Sequence, residues 1–183
     1  MIGALLAGGS GRRLGAPSKP AALVAGRPLV SYPAAALAEV CSRVAVVCKR
    51  DTSLPELEGV ERWDEPDEPR HPLTGIVHAL ETAVGPVLVC AADMPFVTAD
   101  ACRSLLQAGP AADAVIATSD GVLQPTFGLY AASALEALRA APANAPLTAT
   151  VEALDPVRVA LPAALVRSVN TSEELAEAEE LLG

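Results

Sequence analysis

The sequence predicts an α/β domain of three α/β/α layers built on a mostly parallel sheet, and three observations carry that expectation. Apolar runs of strand length at residues 2–6, 44–48, 87–91 and 114–118 alternate with segments of helical periodicity, the pattern of successive βαβ units. Hydrophobic residues make up 51% of the chain and aromatics only 3%, so the core should consist of aliphatic layers. The 183 residues suit one domain spanning 1–183, a size that buries about 70% of its unfolded surface with no disulfide or metal to hold it.

The first run opens into Ala7-Gly8-Gly9-Ser10-Gly11-Arg12-Arg13-Leu14-Gly15, with Lys19 close behind. Small residues tolerate positive φ and let backbone N–H groups approach a ligand, while Arg12, Arg13 and Lys19 add mobile positive charge, so the segment reads as a phosphate-binding loop. Two familiar loops are excluded by spacing. No Gly-Lys-Ser/Thr tripeptide follows Gly9 and Gly11, as a P-loop demands. Leu14 occupies the place where a dinucleotide fingerprint beginning at Gly9 and Gly11 needs its third glycine.

Leu29, Tyr32, Ala36, Leu37 and Val40 form a helical stripe; Pro28 suits a first turn, and Pro33 calls for a late start or a kink. The proline-bearing stretch 64–72 reads as a loop. After it, Leu73, Ile76, Val77, Leu80 and Val84 share a helical face. Gly75, at the start of that helix, has two readings: it lets a base approach the backbone, or it is an ordinary loop-to-helix glycine. Further on, Thr171-Ser172-Glu173-Glu174 fits a capping box, which puts Asn170 at a helix entrance.

The run ending at Ala92 is closed by Asp93-Met94-Pro95, which places a carboxylate just beyond a buried strand, in the crevice where open α/β sheets bind ligands. Asp93 fits a cap on the turn before a helix starting near Thr98. It also fits an oxygen ligand for Mg2+, which commonly bridges one or two carboxylates to substrate phosphates.

A net charge of −9 opposes partnership with nucleic acids or anionic membranes, yet leaves room for a small phosphorylated ligand beside the local cluster of cations. Cys41, Cys48, Cys90 and Cys102 have no metal-like spacing with His71 or His78 and read as buried thiols. No membrane span or signal segment is apparent, so a cytoplasmic protein is expected. Ser119, Asp120, His71 and His78 do not make a hydrolase triad, because no Gly-x-Ser-x-Gly elbow accompanies them.

Taken together, Leu6-Ala7-Gly8-Gly9 with Arg12, Gly15 and Lys19, Gly26-Arg27-Pro28-Leu29, Pro72-Leu73-Thr74-Gly75, Asp93-Met94-Pro95, Gln124-Pro125 and Val169-Asn170-Thr171 resemble the nucleotidyltransferases over nearly the whole chain. Within that group the resemblance is to the molybdenum cofactor guanylyltransferases. It implies a Rossmann-like sheet of the nucleotide-diphospho-sugar transferase type. It also implies transfer of GMP from GTP to the phosphate of molybdopterin, with Leu-Ala-Gly-Gly and Pro-Leu-Thr-Gly favouring GTP over CTP.

Residue by residue, the resemblance implies that Leu6, Ala7, Gly8, Gly9 and Gly75 line the nucleotide and that Asp64 lies beside the nucleoside. Lys19, Arg12 and Arg13 would hold the phosphates, Asp93 would bind Mg2+, and Asn170 would approach the acceptor. Transient partners that deliver the pterin or receive its product, molybdoenzymes among them, fit the same picture. Two positions depart from the family pattern: the asparagine expected around Val47-Cys48-Lys49-Arg50 is missing, and Ser168 replaces the first asparagine of Asn-x-Asn. Other phosphorylated acceptors, such as sugar phosphates or phospholactate, and CTP-dependent transfer form the alternative, followed by a non-catalytic nucleotide-binding module.

Overall fold

Strands and helices alternate from the first residues. β1 (Ile2–Leu6) is followed by a small antiparallel ribbon of β2 (Leu23–Val24) and β3 (Arg27–Pro28). Then come α1 (Ser31–Ala38), β4 (Arg43–Cys48), β5 (Val60–Asp64), α2 (Pro72–Ala83), β6 (Val87–Ala91) and α3 (Ala99–Ala108). The remainder holds β7 (Ala114–Ser119), β8 (Val122–Tyr130), α4 (Leu135–Ala140), α5 (Leu147–Glu152), β9 (Val157–Ala160) and α6 (Ser172–Leu182). The computed structural model describes residues 1–8, 18–109, 111–142 and 145–183. The loop residues Gly9, Arg12 and Arg13 therefore lie outside the described residues.

The seven-stranded sheet is ordered β5-β4-β1-β6-β8-β7-β9. Its pairings are parallel except at β8, which runs antiparallel to both β6 and β7. Side chains alternate between the faces, as the strand period requires. Leu5, Val46, Leu88, Val115 and Phe127 pack with Leu37 of α1 and Leu105 of α3. Ala4, Val47, Val89, Ile116 and Tyr130 pack on the opposite side with Ile76 and Leu80 of α2, Leu138 of α4 and Val151 of α5. These are the three expected layers. Each fully buried side chain such as Leu5, Ile76 or Phe127 contributes about 1.5–3 kcal/mol of burial.

Several local expectations need correction. α1 begins at Ser31, so Pro33 falls in its first turn, where backbone N–H groups have no helical acceptor to lose. Pro28 lies in β3 instead of opening the helix, and Leu29 is buried ahead of it, against Val24, Val169 and Ala178. α2 stops at Ala83, and Val84 caps it in the left-handed conformation (φ 50°, ψ 40°), 90% exposed instead of on the buried stripe. A β-branched residue is strained there and glycine is not. Val84→Gly should stabilise the protein by roughly 1 kcal/mol, read as a midpoint raised in chemical denaturation. An unchanged or lowered midpoint would refute the strain.

All four cysteines are free and buried. Burial pushes the Cys41 and Cys48 thiols up to about 11 and Cys102 to about 12. Since the thiolate is the reactive form, native protein at neutral pH should resist iodoacetamide and become fully alkylated once unfolded; mass spectrometry counts the adducts. Rapid native labelling would contradict this packing. Among the described residues no helix is long and apolar enough to cross a membrane.

Candidate active site

The site grows from the carboxyl ends of the parallel strands. β1 lies between β4 and β6, with Leu6 opposite both Val47 and Ala91, while Cys48 lies opposite Asp64. Ladder bonds persist one residue further, from Ala7 N–H to Val47 C=O (2.9 Å), Ala92 N–H to Leu6 C=O (3.0 Å) and Glu65 N–H to Cys48 C=O (2.9 Å). Gly8, Lys49, Glu65 and Asp93 thus leave the sheet along one edge. The chain moves outward from β1 to β4 and β5, then returns to β6 on the other side of β1, and this reversal opens a crevice. The crevice is a cleft of about 510 Å³ lined by Leu6, Gly8, Val47, Lys49, Glu65, Arg70, His71, Pro72, Gly75, Ala91, Asp93, Thr126 and Ser168.

At one end, three distant segments meet. Lys19 opens a single 3-10 turn (Lys19–Ala21), and its ammonium pairs with Asp93 Oδ2 and donates to Asn170 Oδ1 at 2.6 Å. Val169 N–H donates to the Asp93 carbonyl at 2.8 Å, tying the stretch before α6 to the end of β6. The capping box forms as expected, with Thr171 Oγ1 accepting from Glu174 N–H at 3.2 Å and Glu174 Oε2 accepting from Thr171 N–H at 3.1 Å. Leu6, Gly8, Lys19 and Asp93 also share the wall of a small adjoining hollow. Thr98 caps α3 by accepting from Ala101 N–H at 3.2 Å, which leaves the carboxylate of Asp93 free of that duty.

The opposite end is built on β4, β5 and the first turn of α2. Asp64 does not line the cleft: its carboxylate accepts from Arg62 Nε at 2.8 Å on the exposed edge. Its neighbour Glu65 lines the cleft instead, because the strand period turns Glu65 to the face of Trp63 and α2. Glu65 and Lys49 form an ion pair at 3.5 Å with each side chain only 6% exposed. Lys49 also donates to the carbonyls of Pro66 and Pro69. Burial raises the Glu65 carboxyl above the ordinary carboxylate range, and Lys49 opposes that rise.

The sequence that builds this crevice, from Gly8 and Lys19 to the strand-end Asp93, falls within a match to a known family. The model of the MobA-like NTP transferase domain covers residues 3–157. The chain belongs to that family. Over its full length this MobA-like transferase is 30% identical to the molybdenum cofactor guanylyltransferase of Cereibacter sphaeroides, of which 97% is covered. It is 31% identical to a probable molybdenum cofactor guanylyltransferase of Natronomonas pharaonis, with 98% and 97% of the two chains covered. Among solved structures it resembles the molybdopterin-guanine dinucleotide biosynthesis protein A of Archaeoglobus fulgidus, with a TM-score of 0.77, 25% identity and coverage of 100% and 98%. The 2-C-methyl-D-erythritol 4-phosphate cytidylyltransferase of Thermus thermophilus shares the fold at a TM-score of 0.75 and 19% identity, with 97% of each chain covered. The nucleotide-diphospho-sugar transferase type of sheet is thus the correct fold.

In this MobA-like transferase Ala7 sits in the core beneath the cleft, with its N–H spent on the β4 ladder, while Leu6 and Gly8 face the opening. Gly75 lines the cleft among close neighbours: a Cβ there would lie 3.0 Å from Leu6 Cδ2 and 3.2 Å from Glu65 Oε2. Gly75 lies in the first turns of α2, inside the helix instead of in the loop before it. Ser168 lines the cleft, whereas Asn170 is turned to Lys19. Thr126 enters from β8, and only the sheet order reveals it.

Among the described residues no group of three or more His, Cys, Asp or Glu could hold a metal ion. Asp93 Oδ1, however, is buried without a hydrogen-bond partner among them. An unpaired carboxylate oxygen beside the cleft fits Mg2+, which keeps several waters and needs only one or two protein oxygens when phosphates supply others.

Proposed function

We propose that this protein transfers GMP from GTP to the phosphate of molybdopterin cofactor, forming a guanine dinucleotide cofactor and releasing pyrophosphate. The carrying observation is the meeting of Gly8, Lys19, Asp93 and Asn170 at the point where the strand order reverses. Full-length similarity to proteins named molybdenum cofactor guanylyltransferase supports the choice of nucleotide and acceptor.

An oxygen of the acceptor's phosphate monoester attacks the α-phosphorus of GTP in line. The new P–O bond forms as the bond to the bridging oxygen of the β-phosphate breaks, and the electron pair leaves with pyrophosphate. The nucleophile is already an anion, so no general base or covalent enzyme intermediate is required. Catalysis then rests on positioning and on fixed charge. Lys19, released from Asp93 by the incoming phosphates, follows the negative charge that develops on the transferring and leaving groups. Mg2+ held by Asp93 would supply charge neutralisation between the two anions. Asn170 keeps Lys19 in reach of both, and Leu6 and Gly8 form the floor beneath the nucleotide.

The test is pyrophosphate release from GTP, ATP, CTP and UTP, each with molybdopterin and with a panel of sugar and organic phosphates, at varied Mg2+. Release from GTP with molybdopterin alone, abolished by chelation, is the expected result. Release with CTP, or with another phosphate acceptor in place of molybdopterin, would replace this assignment.

A further inference from the structure

At the end of the cleft away from Lys19 stands a buried carboxylate that the transfer chemistry does not use. Glu65 follows β5 and Asp93 follows β6, three strand spacings apart, or roughly 14 Å. Phosphates drawn to Lys19, beside Asp93, therefore direct the base of the same nucleotide toward Glu65. The walls between them are apolar, from Leu6 and Val47, and suit the faces of a planar ring. Among the described residues the carboxylate lining the far end is that of Glu65, with Lys49, Arg70 and His71 as the other titratable groups lining that part of the cleft.

The hydrogen bonding of this corner is incomplete in a specific way. Lys49 is held by an ion pair with Glu65 Oε1 at 3.5 Å and by hydrogen bonds to the carbonyls of Pro66 and Pro69. Arg70 is paired with Asp51 at 2.9 Å, and His71 Nδ1 accepts from Leu73 N–H at 3.2 Å as the cap of α2. Glu65 Oε2 is buried with no hydrogen-bond partner among the described residues. A buried ionised oxygen without a donor is costly, so the corner is suited to a ligand that brings donors. The absence of a side chain at Gly75 leaves room beside that oxygen: a Cβ there would stand 3.2 Å from Oε2.

Resting on the GTP reading above, we infer that Glu65 is the residue that selects guanine, accepting the N1–H and 2-amino donors of its Watson–Crick edge, with Lys49 as the positioning residue that fixes the carboxylate. Guanine offers two adjacent donors on that edge. Adenine and cytosine place an unprotonated ring nitrogen there and are repelled, and uracil offers one donor flanked by carbonyl oxygens. Base choice thereby reaches beyond the glycine and proline motifs to a carboxylate at the neighbouring position to Asp64.

Calorimetric titration of the full-length protein with GTP and with ITP, which lacks only the 2-amino group, tests this directly. Wild-type protein should bind GTP roughly 10- to 100-fold more tightly than ITP, the effect of one hydrogen bond to a charged acceptor. Glu65→Gln, close to isosteric and checked for folding by thermal melting, should bring the two affinities to within about threefold, chiefly by weakening GTP. Equal wild-type affinity for GTP and ITP overturns the inference whether or not the variant folds. A folded Glu65→Gln protein that keeps the full preference also overturns it while leaving the GTP reading intact. Absence of any GTP binding by the wild type removes both.

Discussion

Asp93→Ala should slow GMP transfer by roughly a hundred- to a thousandfold, with Lys19→Ala close behind, while both proteins keep the wild-type fold. The size follows from removing one preorganised electrostatic contact at the reacting phosphates. The fold should survive because Asp93 contributes to packing through its backbone, where its carbonyl accepts from Val169 N–H, and that bond does not depend on the side chain. Steady-state pyrophosphate release gives the rate and circular dichroism the fold. The two residues touch, so their effects should not add: once Asp93 is gone, Lys19→Ala should cost much less than it does alone. A folded Asp93→Ala protein with wild-type kcat would remove the aspartate from the chemistry. Full additivity would mean that the pair does not act as a unit.

The parts of the fold legible from the sequence are those whose signal is local. β1, β4, β6 and β7 are built on apolar runs, broken only by Arg43 at the start of β4 and Thr118-Ser119 at the end of β7, because central strands are buried on both faces. β5 and β9 occupy the two edges and alternate with charge, as in Val60-Glu61-Arg62-Trp63-Asp64, so they resemble loop sequence. β8 is hidden by Pro125 and Gly128. The proline is tolerated because the pairing with β7 shifts register between Ile116 and Thr118, so no ladder bond is demanded of its nitrogen. Gly128 is demanded by close approach, since a Cβ there would fall 2.8 Å from the Val115 carbonyl oxygen.

The candidate site divides in the same way. Gly8, Lys19, Asp93 and Asn170 were readable as pieces of motif, and the sheet brings them together. The acidic stretch Asp64-Glu65-Pro66-Asp67-Glu68 held no local sign of which carboxylate turns inward. That depends on the last paired residue of β5, where a shift by one exchanges faces. Lys49 carried no signal either, because a lysine after an apolar strand, here followed by Arg50, is ordinarily solvated. Its burial is set by the 66–69 loop folding its carbonyls over the ammonium.

That burial makes Lys49 the site of the largest expected loss of stability. Lys49→Met should destabilise the fold by roughly 3–5 kcal/mol, because it strands the Glu65 carboxylate in a buried position and leaves the Pro66 and Pro69 carbonyls without a donor. Pairing the change with Glu65→Leu should recover much of the loss, since replacing both partners by apolar groups leaves no uncompensated charge. The defect should also depend on pH with a definite sign. Burial already holds the Glu65 carboxyl above its ordinary range, and loss of Lys49 removes the stronger of the two cations, Lys49 and Arg70, that oppose that rise. The folded variant then binds a proton more readily than the unfolded chain, so its stability falls as pH rises from the ordinary carboxylate value toward the raised one, and recovers on acidification through that window. Urea unfolding of wild type, the single variant and the double variant from mildly acidic to mildly alkaline pH measures this. If the single variant is as stable as wild type at alkaline pH, or if the double variant is no better than the single one, Lys49 is not what holds the carboxylate in the cleft.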